Sequence, residues 1–387
     1  MNNLLDTYAP LNIKFTHGEG CWLWDKDGNR YLDAISGLGV NILGYGNSEF
    51  TQTIQKQAEK LIHLSNLYEI DTQQVLAQEL CNISKMDKAF FCVSGAEAIE
   101  CAIKLARLYG QEKQIKNPAI IVCNNAYHGR TLATITASGQ RSVQAGFEPL
   151  VPGFVRAPFN DISALQHIAE TRQDIVGVMI EPIQGSGGIH AASLDYLKQL
   201  RNLCDRQDWL YIADEIQCGA GRTGEFLYSQ HANVHPDIVA LAKGLGNGIP
   251  IGVCLTRNKT NNLFTKGKHG STFGGSPLSM TAGISVLKIM EQLKLIQNAK
   301  TQGQYLIKIL NEQFQNNANV TSIRGKGLMI GIELKNLPLG LPKKAVDLGI
   351  LINITAKNVI RLLPPLIINN QECNILAEKL DTLISDI

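Results

Sequence analysis

The sequence predicts an α/β protein in which a large domain, built on a mostly parallel sheet wrapped by helices, joins a smaller α+β domain. From about residue 88 onward, short apolar runs alternate with stretches of helical period. The chain is also long, with 387 residues of which 44% are hydrophobic and 18% charged, more than one compact domain usually holds.

Taken in order, "CWLWDKDGNRYLDA" reads as a hairpin turning at Asp27-Gly28. The alternation then begins with the strand "AFFCV" and the helix "AEAIECAIKLARLYG", where Ile99, Ala102, Ile103 and Ala106 fall at the spacing of one buried face. It continues through "AIIVC", "IVGVMI", the helix "LDYLKQLRNLCDRQ", "LYIA", "IVALA" and "IGVCLT". After about residue 280 long helical patterns end in strand-like "NVTSIRGKGLMIGIEL" and "VIRLLPPLII". The expected division is residues 1–50 as an N-terminal part of the small domain, 51–275 as the large domain and 276–387 as the rest of the small one.

The net charge of +2 and the absence of runs of like charge argue against nucleic acid and favour a small-molecule partner. No basic start followed by an apolar block opens the chain, and no apolar stretch reaches about 18 residues, so a cytoplasmic protein without membrane contact is expected. Nine cysteines form an odd set with no C-x-x-C and read as reduced core residues. His231 and His235 stand four apart, but Pro236 adjoins them without an acidic partner, so no metal site is expected.

In open sheets of this kind ligands bind beyond the carboxyl ends of the strands. The residues there are Ser94-Gly95-Ala96, Asn124 to Arg130, Glu181, Asp214 to Gln217, and Lys243. Ser94-Gly95-Ala96 opens a helix, where free N–H groups suit a phosphate, although Ser94 can equally be a plain cap. Asp214 follows a buried strand, where a carboxylate needs a cation or a strong donor; a protonated pyridine nitrogen is one such donor, an ion pair the plainer alternative. Lys243, at the end of "DIVALAK", can escape the cost of a buried ammonium by condensing with an aldehyde. Gly244, Gly246 and Gly248 would then let the backbone pass close to that ligand. Tyr127 can stack on a flat ring, Arg130 and Arg361 offer planar forks for carboxylates, and Ser271-Thr272 can give hydroxyls to an anion. Each feature alone has a bland reading as core, turn or surface ion pair. Together they fit pyridoxal phosphate.

With "SGAEA", "YHGRT", "EPIQGSGG", "DEIQCGAGRTG", "LAKGLGNGIPIG" and "GSTFGGSP" in this order, nearly the whole chain resembles the class III, subgroup II aminotransferases, most nearly those acting on acetylornithine. The resemblance implies pyridoxal-phosphate fold type I, with a seven-stranded type of sheet, and a homodimer with active sites at its interface. It implies that Lys243 carries the cofactor and shuttles a proton, Asp214 pairs with the ring nitrogen, Gln217 approaches the ring oxygen and Tyr127 stacks on the ring. Gly95 and Ala96 match the phosphate turn, and Thr272 matches a residue reaching the phosphate from the other subunit. Arg130 matches the binder of the substrate α-carboxylate, with Ser271 close by; Glu181 and Arg361 complete the substrate side.

The chain departs from the family pattern at Tyr127, where Phe is usual, at Val93 and Ile99, where Asn is common, and at Ser186, where a glutamate usually pairs with the arginine matching Arg361. Without that glutamate Arg361 is expected to stay free for α-carboxylates. The expected reaction moves the ω-amino group of N2-acetyl-L-ornithine to 2-oxoglutarate in a step of arginine biosynthesis. Alternatives are N-succinyldiaminopimelate, succinylornithine, ornithine or 4-aminobutyrate as donor, a glutamate-semialdehyde-type aminomutase, or a silent binding relative.

Overall fold

A computed structural model describes residues 3–385; Met1, Asn2, Asp386 and Ile387, at the outer ends of the two expected terminal segments, lie outside the described residues. The central sheet has seven strands, in the order Lys88–Cys92, Gly252–Thr256, Ile238–Leu241, Leu210–Asp214, Ile175–Ile180, Ala119–Cys123 and Phe154–Ala157. Neighbours pair parallel except at Gly252–Thr256, which runs antiparallel to both of its partners.

The inner strands are unbroken apolar runs because both of their faces are covered. Ile121, Val178, Ala213, Val239 and Leu255 enter one core cluster, and Ile120, Val122, Val176, Ile212 and Ala240 enter another. The helix Gly95–Glu112 lays Ile99, Ala102, Ile103 and Ala106, none more than 1% exposed, into the second of these. Burial of each isoleucine there contributes roughly 1.5–3 kcal/mol. The strand Phe154–Ala157 and the helix Ile162–Thr171 were not anticipated: the strand lies at the sheet edge, is half-buried, and therefore carries no continuous apolar run.

The hairpin closes as expected, with Trp22–Asp25 antiparallel to Arg30–Asp33 and Gly28 at φ +82 in the turn. Asp25 Oδ1 accepts the Asp27 and Asn29 amides at 2.9 Å and holds the loop. Ile350–Leu351 then pairs parallel with Arg30–Asp33, so the two chain ends share a four-stranded sheet. A second four-stranded sheet runs Val320–Lys326, Met329–Leu334, Val359–Leu362, Asn353–Thr355. These parts share a third core cluster, including Leu32, Ile42, Ile330, Ile360 and Leu376. All nine cysteines are free, Cys81 half-buried and the others buried. Among the described residues no helix is long and apolar enough to cross a membrane.

Candidate active site

A cavity of about 680 Å³ opens at the carboxyl ends of the parallel strands. Ser94, Gly95, Ala96, Tyr127, Arg130, Glu181, Asp214, Gln217, Lys243 and Arg361 all line it. Ser271 and Thr272 do not. In its own chain Ser271 Oγ accepts the Gly274 amide at 3.0 Å, and Thr272 is exposed.

The helix Gly95–Glu112 begins with a reciprocal cap. Ser94 Oγ accepts the Glu97 amide at 3.3 Å, and Glu97 Oε2 accepts the Val93 amide at 2.8 Å. Ser94 therefore caps the helix, and the Gly95 and Ala96 amides, which have no intrahelical acceptor at a helix start, belong to residues that line the cavity. A side chain at Gly95 would meet Ile216 at 2.9 Å, so glycine keeps this turn tight. First-turn amides with the dipole of an 18-residue helix behind them can hold a phosphate.

Asp214, the last residue of its strand, is 4% exposed. Its Oδ2 accepts from His128 Nδ1 at 2.7 Å, and its Oδ1 accepts the Ile216 amide at 3.2 Å. His128, whose Nε2 is buried without a hydrogen-bond partner among the described residues, went unassigned in the sequence although it adjoins Tyr127 at the strand end. Its only signal there was its position. Glu181, 5% exposed, accepts the Tyr127 amide at 2.6 Å and the Gly185 amide at 3.2 Å. Burial pushes its carboxyl up to about 7, against the pull of His128.

Lys243 sits at φ +48, a left-handed conformation that costs a non-glycine residue of order 1–3 kcal/mol and recurs at functional sites. It is half-buried and has no ion pair within 4 Å among the described residues. Burial lowers its pKa from the usual 10.5, while Asp214 and Glu181 pull it back up. The glycines beside it require a correction. Side chains at Gly244 and Gly246 would strike Ile42 and Ile251 at 2.8 and 2.7 Å, so these two serve packing of the lysine turn; only Gly248 of the three lines the cavity.

The Arg130 guanidinium lies 5.4 Å from the centroid of the half-buried Tyr127 ring. Arg361 is 5% exposed, and burial lowers its pKa to about 10. Its neighbours are neutral: Nη1 donates to Gln217 Oε1 at 3.2 Å, and Nε donates to Asn353 Oδ1 at 3.0 Å. Asn353 is a further residue that sequence reasoning missed, because only the strand register brings it opposite Arg361.

The sequence matches the family described as Aminotransferase class-III over residues 6–384. The chain belongs to the class III aminotransferases. This aminotransferase is 46% identical to the acetylornithine aminotransferase of Nitrosomonas europaea over 385 residues, covering 100% of this chain and 98% of that protein. It is 42% identical to the acetylornithine aminotransferase of Methanocaldococcus jannaschii, covering 99% and 96% of the two. Among solved structures it superposes on the ornithine aminotransferase of Toxoplasma gondii with a TM-score of 0.96 at 30% identity, over 99% of this chain and 93% of that one.

Pyridoxal phosphate is the cofactor of this aminotransferase family. The residues present fit it: an amine with no ion pair within 4 Å among the described residues, a buried carboxylate held by His128 and the Ile216 amide, the first turn of a helix and an aromatic ring all border one cavity.

Proposed function

We propose that this aminotransferase moves the ω-amino group of N2-acetyl-L-ornithine to 2-oxoglutarate, giving N-acetyl-L-glutamate 5-semialdehyde and L-glutamate. One observation carries the assignment of roles: Lys243 shares its cavity with the His128-anchored Asp214 and with Arg130 and Arg361, and among the described residues neither the lysine nor either arginine has an ion pair within 4 Å. The choice of donor is supported by the full-length relatives of that name.

The bound cofactor supplies an electron sink for the substrate carbon that loses its proton. Asp214, held at Oδ2 by His128 and at Oδ1 by the Ile216 amide, would be the carboxylate that pairs with the ring nitrogen. Gly95 and Ala96, at the helix start beside Ser94, would hold the phosphate, Tyr127 would stack on the ring and Gln217 would approach its oxygen; all of them line the cavity. Lys243, its ammonium disfavoured by burial, carries the cofactor and then takes and returns the proton at the substrate carbon. Arg361 and Arg130 hold substrate carboxylates. Glu181 joins the substrate side and tethers the Tyr127 backbone. Each substrate enters after the other's product has left.

The same reading makes the protein a homodimer. Ser271 and Thr272 lie outside their own cavity, on a loop with Phe273 62% exposed. Asn66 Nδ2 donates to Gly274 O at 2.9 Å and ties that loop to a segment exposing Leu61, Ile62, Leu67 and Tyr68. A patch of this kind suits a second copy, to whose site Thr272 would reach. The strand pairing of the two chain ends supports grouping the N-terminal segment with the C-terminal small domain. A cytoplasmic setting agrees with nine free thiols.

The test is a donor panel with 2-oxoglutarate: N-acetylornithine, N-succinylornithine, N-succinyldiaminopimelate, ornithine and 4-aminobutyrate. The highest kcat/KM is expected for N-acetylornithine; preference for another donor overturns the assignment.

A further inference from the structure

A buried guanidinium ordinarily has a carboxylate partner, because leaving a charge unpaired in a low-dielectric site is expensive. Arg361 is 5% exposed, yet no carboxylate lies within 4 Å of it among the described residues. Glu181 attracts it only at longer range. What holds it is amide oxygen. Nε and Nη2 both donate to Asn353 Oδ1, at 3.0 and 2.5 Å, and Nη1 donates to Gln217 Oε1 at 3.2 Å. A guanidinium has five N–H donors, so two remain, one on each terminal nitrogen, and Arg361 lines the cavity. Two such donors match the two oxygens of a carboxylate.

The anchoring is built into the sheet. Asn353 stands directly opposite Arg361 in the antiparallel pairing of Asn353–Thr355 with Val359–Leu362. Two residues on, Thr355 shares its face of the strand, and its Oγ1 donates to Ser186 O at 2.8 Å. Arg324 donates to Gly188 O at 2.9 Å from the neighbouring hairpin. The short strand therefore fixes both the arginine and the loop that carries Ser186 to the cavity.

We propose that Asn353 is the positioning residue of the carboxylate subsite: its neutral oxygen fixes the Arg361 fork without compensating its charge, leaving an open cation for a substrate α-carboxylate. This rests on the reading of Arg361 as a substrate binder. An aspartate at 353 would keep both hydrogen bonds and add the missing negative charge, so it separates anchoring from neutrality. If the residue only held the fold, aspartate would serve as well as asparagine.

The experiment compares cofactor-loaded wild type, Asn353→Asp and Asn353→Ser. Glutarate binding is read by calorimetry, and KM and kcat for glutamate and 2-oxoglutarate by steady-state kinetics. For Asn353→Asp the account expects a tenfold or greater loss of glutarate affinity, a matching rise in KM for both dicarboxylates and a kcat within about threefold of wild type. Asn353→Ser, which adds no charge but does not reach the guanidinium, should weaken glutarate severalfold. The proposal is overturned if Asn353→Asp binds glutarate within twofold of wild type, whatever Asn353→Ser does, or if the wild type binds none. A wild type that binds glutarate but does not transaminate 2-oxoglutarate would instead remove the assigned acceptor and leave the Asn353 comparison decisive.

Discussion

His128 Nδ1 and Asp214 Oδ2 lie 2.7 Å apart in a pair of side chains withdrawn from solvent. The His128 backbone amide donates to Ser138 Oγ at 2.9 Å, which fixes the backbone that carries the ring, while Asp214 lines the cavity. Removing the imidazole leaves a buried carboxylate short of a charge-assisted hydrogen bond, worth about 1.5–3 kcal/mol, or roughly 10–100-fold. For His128→Ala the dissociation constant of pyridoxal phosphate, measured by titrating the stripped protein, is expected to rise by about that factor. An unchanged constant would mean that the histidine does nothing for the site.

Arg361 offers a planar fork, and lysine does not. In Arg361→Lys a point charge replaces two aligned donors in a buried position, so the KM for glutamate should rise by about 10–100-fold. The N-acetylornithine half-reaction should be affected less if its carboxylate rests on Arg130. Stopped-flow measurement of each half-reaction separates the two, and an equal loss in both would place both carboxylates on Arg361.

Glu181 gives the apoprotein a pH signature. Its carboxyl is pushed up to about 7 in the fold, from an ordinary value of 4.5. Below pH 4.5 it is protonated in folded and unfolded chains alike. Between 4.5 and 7 only the unfolded chain has released the proton, so stability falls as pH rises through this window, by up to about 3 kcal/mol, and levels off above it. Glu181→Gln removes that slope. Melting temperatures of the cofactor-free pair from pH 5 to 7.5 should converge at the acid end and separate at neutrality, with the glutamine variant higher; parallel curves would contradict the shift.

The large sheet was legible because its inner strands are covered on both faces, which forces unbroken apolar runs such as "IVGVMI" and "AIIVC". The site was legible because strand ends point to one edge, and that edge collects Ser94, Tyr127, Glu181, Asp214 and Lys243. Phe154–Ala157 escaped because an edge strand need not be apolar. His128 and Asn353 escaped for another reason. Their partners, Asp214 and Arg361, are 86 and 8 residues away, and only tertiary pairing shows what each one faces.

Thr272 tests the dimer. Lys243→Ala lacks its amine and Thr272→Val lacks a hydroxyl that belongs, on this account, to the partner's site. Unfolded together and refolded, the two weak variants should form mixed dimers in which one site is intact, and activity should exceed the sum of the separate preparations. Activity equal to that sum would put Thr272 outside the neighbouring site.

The most direct measurement is borohydride reduction of the cofactor-loaded protein followed by peptide mass mapping. A pyridoxyl group on the ε-nitrogen of Lys243, with loss of the absorbance near 420 nm, is the predicted result. A labelled peptide elsewhere, or none, would contradict the assignment of Lys243 and the reaction built on it.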